Sequence, residues 1–196
     1  MSESTGNSEH DKFLGKYRKQ SARAMWHDYD GGLYFVTICT KDRVHYFGEI
    51  SENEMHLTEV GQYVVEQIRN VQVHYNYAKI PLWVVMPNHL HAIVIIDGDN
   101  IPYKRRVVKT LDGFMVESRR ATTLQQRGIA NMQGWLSVAV GGIKSAVTKF
   151  ANERRIPFVW QTRFHDHIVR DICEMNQIAD YIENNVQKWE MDKFYV

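Results

Sequence analysis

The stretch "WVVMPNHLHAIVII", residues 83–96, is the part of the sequence that best indicates the fold. Two apolar runs rich in β-branched residues flank Pro87-Asn88, a pair that favours a tight turn, so the stretch predicts two antiparallel strands. Side chains alternate across a strand, which places His89 and His91 on one face and Leu90 on the other. We therefore expect a hairpin that presents two imidazoles side by side.

Strand-like and helix-like segments alternate on both sides of this hairpin. Their order along the chain is strand, helix, strand, strand, helix, strand, helix, with the segments at about 31–40, 57–71, 79–86, 89–98, 136–150, 158–171 and 178–189. Thr58 is the expected N-cap of the first helix, and Gly141-Gly142 within the second helix predicts close packing or a kink. This order predicts an α+β fold, a ferredoxin-like sandwich with an antiparallel sheet and helices on one face, plus an extra C-terminal helix.

Composition and charge predict one folded domain with two basic additions. The chain has 196 residues, of which 44% are hydrophobic and 24% charged, as in folded soluble proteins. The net charge is only +1, because basic residues cluster in some segments and acidic residues in others. We expect a basic, partly flexible N-terminal arm over 1–30, a single catalytic domain over 31–196, and a flexible basic insertion at about 97–132.

The cysteine count and the hydropathy pattern favour a cytoplasmic protein. Two cysteines are too few for a disulfide framework or a four-sulfur zinc site. The N-terminus has no signal-peptide pattern, and no apolar run reaches the roughly 18 residues of a membrane span. The expectation is a protein of the reducing cytoplasm with no membrane partner.

The two histidines of the hairpin allow two interpretations. Two neutral imidazoles on one strand face can hold one metal ion. The alternative is that both rings form local hydrogen bonds at the edge of the sheet, which is the commoner outcome for an arbitrary His-x-His. A second pair, His165 and His167, flanks Asp166, and we expect it to pack or to contact phosphate. The first pair is the better metal-site prediction, because sheet neighbours would fix its ring orientations.

Several ordered motifs together resemble one family. "VVMPNHLHAIVI", "FVWQTRFHDHIVR" and "YIENNVQKW", together with "GLYFVTICTKDRVHYFGEI" and "LSVAVGGIKSAVTKF", resemble the REP-associated tyrosine transposases and the wider insertion-sequence-200-like transposases. These are single-tyrosine members of the HUH endonucleases. The resemblance covers residues 31 to 190, which is all of the chain except the arm and the tail.

The resemblance implies specific roles in a single-stranded DNA endonuclease and strand transferase. His89 and His91 would bind a divalent cation, Mg²⁺ or Mn²⁺, and Asn185 would complete the metal site. Tyr181 would attack a phosphodiester near a DNA hairpin and leave a 5′-phosphotyrosine. Residues four apart share one helix face, so the hydroxyl of Tyr181 and the amide oxygen of Asn185 can meet at one ion.

The resemblance also implies a nucleic-acid partner, namely single-stranded DNA with a hairpin from a REP-like or element-end palindrome. The chain would act as a monomer or a homodimer and would associate with the bacterial nucleoid when bound to DNA. The basic residues expected to contact this DNA are Lys144, Arg163 and Arg170 near the site, and Arg18, Lys19, Arg23, Arg105 and Arg106 in the arm and the insertion. The alternative for such charges is a set of solubilising loops. Trp26, Tyr29 and Trp160 could stack on bases, although Trp160 fits the core equally well.

Two rival functions are consistent with the same residues. One is a metal-dependent phosphodiesterase in which the histidines hold an ion and water attacks, which would leave no covalent adduct. The other is a non-catalytic protein that binds hairpin nucleic acid, since ferredoxin-like sheets also serve as RNA-binding platforms.

Overall fold

The computed structural model describes residues 31–101 and 134–196 with their side chains, and further short segments by backbone alone. These further segments are β1 (Lys12–Phe13) paired with β2 (Lys16–Tyr17), β8 (Arg106–Lys109) paired with β9 (Met115–Ser118), and residues 124–133 at the start of a long helix. The remainder of the predicted arm (1–30) and of the predicted insertion (97–132) lies outside the described residues. Those two predictions remain predictions.

A four-stranded antiparallel sheet forms the centre of the domain. Its strands are β3 (Gly32–Cys39), β6 (Ala78–Val85), β7 (His89–Ile96) and β10 (His165–Ile168), and they lie side by side in the order β10-β3-β7-β6. Helices connect the first strand to the second and the third to the fourth, which is the βαββαβ arrangement of a ferredoxin-like sandwich. The predicted α+β fold is confirmed.

The predicted hairpin is formed by β6 and β7. The amide of Met86 donates to the carbonyl of His89 over 2.8 Å, which closes a tight turn around Pro87-Asn88. The turn is anchored in the sheet, because the amide and the hydroxyl of Thr40 both donate to the carbonyl of Asn88, over 2.9 Å each. The histidine that follows the turn is therefore held on rigid backbone.

The two faces of β7 serve different purposes. One face is apolar and packs in the main core with residues of the helices; it carries Leu90, Ala92, Val94 and Ile96. The opposite face carries His89 and His91, whose cross-strand partners in β3 are Cys39 and Thr37. Both faces are buried, so the histidines are not at a solvent-exposed edge of the sheet.

Two helices cover the apolar face of the sheet. They are α1 (Glu59–Arg69), followed by the single turn α2 (Val71–His74), and α3 (Leu124–Glu153), which is interrupted at Gly134 by a left-handed φ of 73°. Thr58 caps α1 as predicted, because its hydroxyl accepts a hydrogen bond from the amide of Gly61 over 3.1 Å. The rings of Tyr63 and Phe150 stack with centroids 4.0 Å apart and hold α1 against α3.

The last helix, α4 (Ile172–Glu183), lies on the opposite face of the sheet, where its Tyr181 contacts His91. Asp171 caps its start by accepting from the amide of Glu174 over 2.9 Å. The helix begins and ends six residues before the predicted 178–189 pattern. At its end the carbonyl of Asp180 accepts from the amide of Asn184 over 3.1 Å and from the side chain of Asn184 over 2.7 Å. Asn185 therefore lies just beyond the helix and not on its face.

The remaining elements are short. A hairpin of β4 (Gly48–Ser51) and β5 (Glu54–Leu57) precedes α1, and 3-10 turns occupy Lys41–Arg43 and Trp189–Met191. Within the described part of the chain, no helix combines the length and the apolar character needed to cross a membrane.

The glycine pair in α3 yields a test of the core packing. A methyl group at Gly142 would overlap the hydroxyl of Tyr75, whereas one at Gly141 would meet no atom within 4 Å. We expect Gly142→Ala to lower the free energy of unfolding by about 1 to 3 kcal/mol through overpacking. Gly141→Ala should raise it by about 0.5 to 1 kcal/mol through helix propensity. Urea unfolding of both variants measures this, and equal effects at the two positions would contradict it.

Candidate functional site

The centre of the site is the pair of imidazoles on β7. His89 and His91 have no solvent-exposed surface, and their Nε2 atoms lie 3.0 Å apart. Thr37 stands opposite His91 in the register of β3 and β7. The alternation of side chains along the strand, which the sequence predicted, is what turns both rings to the same side.

Hydrogen bonds at the far nitrogens orient both rings. Nδ1 of His89 lies 2.8 Å from Oδ1 of Asn88, and the Asn88 amide is fixed by donating from Nδ2 to the carbonyl of Phe194 over 2.9 Å. Because Oδ1 can only accept, His89 carries its proton on Nδ1 and directs the lone pair of Nε2 into the site. Nδ1 of His91 lies 2.8 Å from the hydroxyl of Thr37, which can accept or donate. Such outer partners are typical of histidines that bind metal.

Burial keeps both imidazoles neutral at physiological pH. The pKa of His89 is lowered to about 2, chiefly by burial and further by His91, while Asp192 opposes this shift. The pKa of His91 is lowered to about 4, again chiefly by burial, with Asp192 acting in the opposite direction. A neutral imidazole is the form that can donate a lone pair to a metal ion.

Tyr181 brings its hydroxyl to this pair. The hydroxyl donates to Oδ2 of Asp192 over 2.8 Å and lies 3.0 Å from Nε2 of His91. Burial raises the pKa of Tyr181, and the hydrogen bond to Asp192 and the charge of that carboxylate raise it further. The phenol is therefore protonated at neutral pH, and it acts as a nucleophile only if a neighbour accepts its proton.

Asn185 carries an unsatisfied oxygen. Its Nδ2 donates to Oδ2 of Asp192 over 2.8 Å, which fixes the orientation of the amide. The side chain is buried, and its Oδ1 has no hydrogen-bond partner among the side chains and backbone that the structure describes. A buried acceptor without a donor is costly and indicates a missing partner.

Asp192 was not predicted from the sequence. It lies in the segment after the last 3-10 turn, where its Oδ1 accepts from the amide of Phe194 over 2.6 Å and its Oδ2 joins Tyr181 to Asn185. Burial raises the pKa of this carboxyl, but hydrogen bonds from Asn185, Phe194 and Tyr181 outweigh burial, so the pKa is lowered and the group is ionised. No motif or periodicity marks Asp192 in "WEMDKF"; only the folded chain brings it to the histidines.

The donor set fits a divalent cation. His89, His91 and Asp192 each offer a ligand atom, and these atoms all lie within 4.8 Å of one another. The Nε2 atoms of the two histidines lie 3.0 Å apart, so both could reach one ion. The free oxygen of Asn185 is a suitable further ligand. A mixed set of imidazole and oxygen donors suits several first-row ions.

Aromatic rings enclose the histidines. Phe194 packs on His89 with centroids 4.5 Å apart, and Trp189 lies 5.9 Å from the same ring. Phe35 stacks on His91 at 5.2 Å with an interplanar angle of 26°. Tyr181 is 38% exposed, so the site is closed above His89 and reachable at the tyrosine.

Of the three residues near the site that were predicted to contact DNA, two are exposed and the third is hydrogen-bonded within the protein. Arg163 and Arg170 are exposed at the two ends of β10, and the His165 and His167 between them share the sheet face of Thr37 and Phe35. The ammonium group of Lys144 has partners within the protein, since it donates to the carbonyls of Gln161 and Thr162 over 2.7 and 3.3 Å.

The other residues predicted to contact nucleic acid lie either in the core or outside the residues that the structure describes. Trp160 is buried in the main core, in agreement with the core alternative. Arg18, Lys19, Arg23 and Arg105, together with Trp26 and Tyr29, lie outside the described residues, and Arg106 is described by backbone alone.

Solved structures of transposases are similar to the chain. The structure of a REP-associated tyrosine transposase bound to a REP hairpin has a TM-score of 0.49 at 19% identity, over 89% of this chain and 77% of that one. A Deinococcus radiodurans protein described as a candidate transposase has a TM-score of 0.35 at 14% identity, over 85% of this chain and 96% of that one. Both TM-scores are below 0.5, so the fold assignment rests on the strand order of the structure and not on these similarities.

Sequence comparison finds a relative. No protein-family model matches the sequence. An uncharacterized protein of Haemophilus influenzae is 34% identical over 184 residues, which cover 93% of this chain and 96% of that protein. Identity at this level over nearly the whole of both chains establishes common descent, and the chain belongs to the same family as this Haemophilus influenzae protein.

Proposed function

We propose that the chain is a metal-dependent single-stranded DNA endonuclease and strand transferase, transposase-like and of the HUH type, that cleaves near DNA hairpins through a 5′-phosphotyrosine. The observation that carries the proposal is the position of the Tyr181 hydroxyl, 3.0 Å from His91 and 2.8 Å from Asp192. A packing tyrosine would not need a base and a pair of metal-binding imidazoles at its hydroxyl. The motif resemblance to REP-associated tyrosine transposases supports the same assignment.

His89, His91 and Asn185 would hold the ion; the carboxylate of Asp192 also lies near the two imidazoles, but we assign it the role of base and not of ligand. Oxygen donors from an amide and a phosphate suit Mg²⁺ or Mn²⁺. A bound ion would polarise the scissile phosphate and offset the charge that develops in the transition state. Asn88 and Thr37 keep the two imidazoles aimed at one point through their hydrogen bonds at Nδ1.

The proposed step transfers the phenolic proton to the chain and releases the 3′-oxygen of the DNA. The oxygen of Tyr181 attacks the phosphorus, and Asp192 accepts the phenolic proton over the existing 2.8 Å hydrogen bond. The bond from phosphorus to O3′ breaks, and the 3′-oxygen takes up a proton from water. The products are a tyrosine joined to the 5′-phosphate and a free 3′-hydroxyl. The reverse reaction with a 3′-hydroxyl rejoins DNA and needs no ATP, because the phosphotyrosine keeps the energy of the phosphodiester.

DNA would approach along β10. Arg163 and Arg170 are exposed there and can contact phosphates, and His165 and His167 lie on the same sheet face as the reactive tyrosine. The basic residues of the arm and the insertion, Arg18, Lys19, Arg23, Arg105 and Arg106, would extend this contact to a hairpin. Lys144 would act by positioning the chain around Gln161 and Thr162.

The first prediction concerns the nucleophile. Tyr181→Phe keeps the ring that packs edge-on against Phe35 but removes the attacking oxygen, so the covalent protein-DNA adduct should fall below detection. The measurement is denaturing electrophoresis after incubation with Mn²⁺ and labelled hairpin DNA from the chain's own genomic surroundings. Tyr195→Phe is the matched control, since Tyr195 is exposed and lies outside the hydrogen-bonded cluster.

The outcomes separate the proposal from its rivals. Cleavage that persists in Tyr181→Phe without an adduct would establish water as the nucleophile and sink the transferase mechanism. Binding without cleavage by the wild-type chain, with and without Mn²⁺, would favour the non-catalytic binding protein.

The second prediction concerns the third ligand. Removing the free oxygen by Asn185→Ala should weaken Mn²⁺ binding about tenfold to a hundredfold, a loss of about 1.4 to 2.7 kcal/mol. Asn184→Ala is the matched control, because the neighbouring amide bonds only to the carbonyl of Asp180 among the described residues. Calorimetric titration of both variants with Mn²⁺ measures the difference. Equal affinities in the two variants would remove Asn185 from the ligand set.

The third prediction concerns pH. Protonation of an imidazole competes with the ion, so binding is lost as pH falls through the pKa of the folded protein. Because the pKa is about 4 for His91 and about 2 for His89, Mn²⁺ affinity should be nearly constant from pH 8 to 6 and should fall only below about pH 5. Titrations across this range test it, and a decline centred near pH 6.5 would show that the histidines titrate as exposed ones do.

A further inference from the structure

A cavity opens beside Tyr181, and most of its lining has no role in the mechanism above. It has a volume of about 440 Å³ and borders Tyr181 and Asp192; the further lining residues, which the mechanism leaves unused, are Phe35, Gln177, Ile178, Met191 and Lys193. This volume lies in the range of roughly 300 to 1,000 Å³ that is usual for small-ligand sites. The cavity is therefore large enough for one planar ring system of a bound substrate.

The lining combines apolar surface with a few polar groups. The ring of Phe35 meets Tyr181 edge-on, with centroids 6.2 Å apart and an interplanar angle of 86°. Met191 is 84% exposed, an unusual position for a large apolar side chain. The amide of Gln177 and the ammonium group of Lys193 are exposed beside this surface. A ligand with flat apolar faces and a polar edge would match this lining, with any negative charge placed at Lys193 and away from the carboxylate of Asp192.

Geometry at the hydroxyl restricts what can occupy the cavity during the reaction. A phosphodiester attacked by Tyr181 is joined to two nucleosides, so at least one of them must lie against the surface next to the tyrosine. On the other side of the centre Phe194 and Trp189 pack on His89 and close that approach. Within the described residues, the cavity lined by Phe35 and Met191 is a surface that borders the tyrosine.

We propose that this cavity receives a single unpaired nucleobase, that of the nucleotide adjacent to the scissile phosphate. The inference rests on the proposed function and adds the part of the substrate that the chain holds at the reaction centre. The base packs between Phe35 and Met191, its edge faces Gln177, and Lys193 contacts the phosphate of the same nucleotide. Stacking of this kind tolerates different bases, since every base has an apolar face.

The test follows the base directly and does not depend on cleavage. A synthetic DNA with a hairpin from the chain's own genomic surroundings and a single-stranded arm is prepared with 2-aminopurine at one arm position at a time. Each DNA is titrated with the full chain in EDTA, so that no reaction occurs, and both the base fluorescence and the affinity are recorded. Cleavage of the same DNAs in Mn²⁺ identifies the scissile phosphate.

The expected result is at least twofold quenching at one arm position, next to the scissile phosphate. Phe35→Leu and Met191→Ala should remove most of this quenching and raise the Kd threefold to tenfold. Asn176→Ala should change neither quantity, because this neighbouring exposed residue does not line the cavity. Met191→Ala keeps the test valid if Phe35→Leu disturbs folding, since Met191 is almost fully solvated.

Several results would overturn the proposal. Quenching that is equal in wild type, Phe35→Leu and Met191→Ala would place the stacked base elsewhere. DNA binding with no quenched position would leave the cavity without a base, and would favour an apolar protein partner for Met191. Quenching at a position distant from the scissile phosphate would contradict the assigned nucleotide. A chain that binds none of these DNAs would instead refute the proposed function, and this inference with it.

Discussion

The pairing of β3 with β7 is the constraint on which the site depends. Its register places Thr37 opposite His91 and Cys39 opposite His89, so that one strand supplies the imidazoles and the next supplies a hydrogen-bond partner. A slip of one residue would turn both histidines into the apolar core and Leu90 into the site. The apolar residues on the other face of β7 prevent this slip, because it would transfer their buried surface to the polar side. The register that packs the core therefore also orients the two imidazoles.

The polar cluster above the sheet is held together by Asp192. This single carboxylate accepts from Tyr181, from Asn185 and from the amide of Phe194, so three separate parts of the late chain meet at it. Buried charges need such partners, and the low pKa of Asp192 reflects that they are present. The amide oxygen of Asn185 still has no hydrogen-bond donor among the described residues. A bound cation would be the missing partner of this oxygen.

Much of the fold and part of the site could be read from the sequence. Strand alternation and the Pro87-Asn88 turn predicted the hairpin and the common face of His89 and His91, since those rules are local. Thr58 as a cap and close packing at Gly142 were predictable for the same reason. The position of α4 was wrong, because the apolar spacing continues through Val186 and Trp189, whereas the helix spans Ile172–Glu183. Asp192 and Phe35 could not be found from patterns, because only the tertiary fold brings them to the histidines.

The hydrogen bond from Asn88 to the carbonyl of Phe194 joins residues 106 positions apart. Asn88 keeps the proton of His89 on Nδ1, and Asn88 is itself held by the carbonyl of Phe194. The orientation of the His89 imidazole therefore depends on a residue far along the chain. The last strand of the sheet ends at Ile168, whereas Tyr181, Asp192 and the carbonyl that anchors Asn88 all lie in the part of the chain that follows. The candidate site is therefore complete only when this last part of the chain is packed on the sheet.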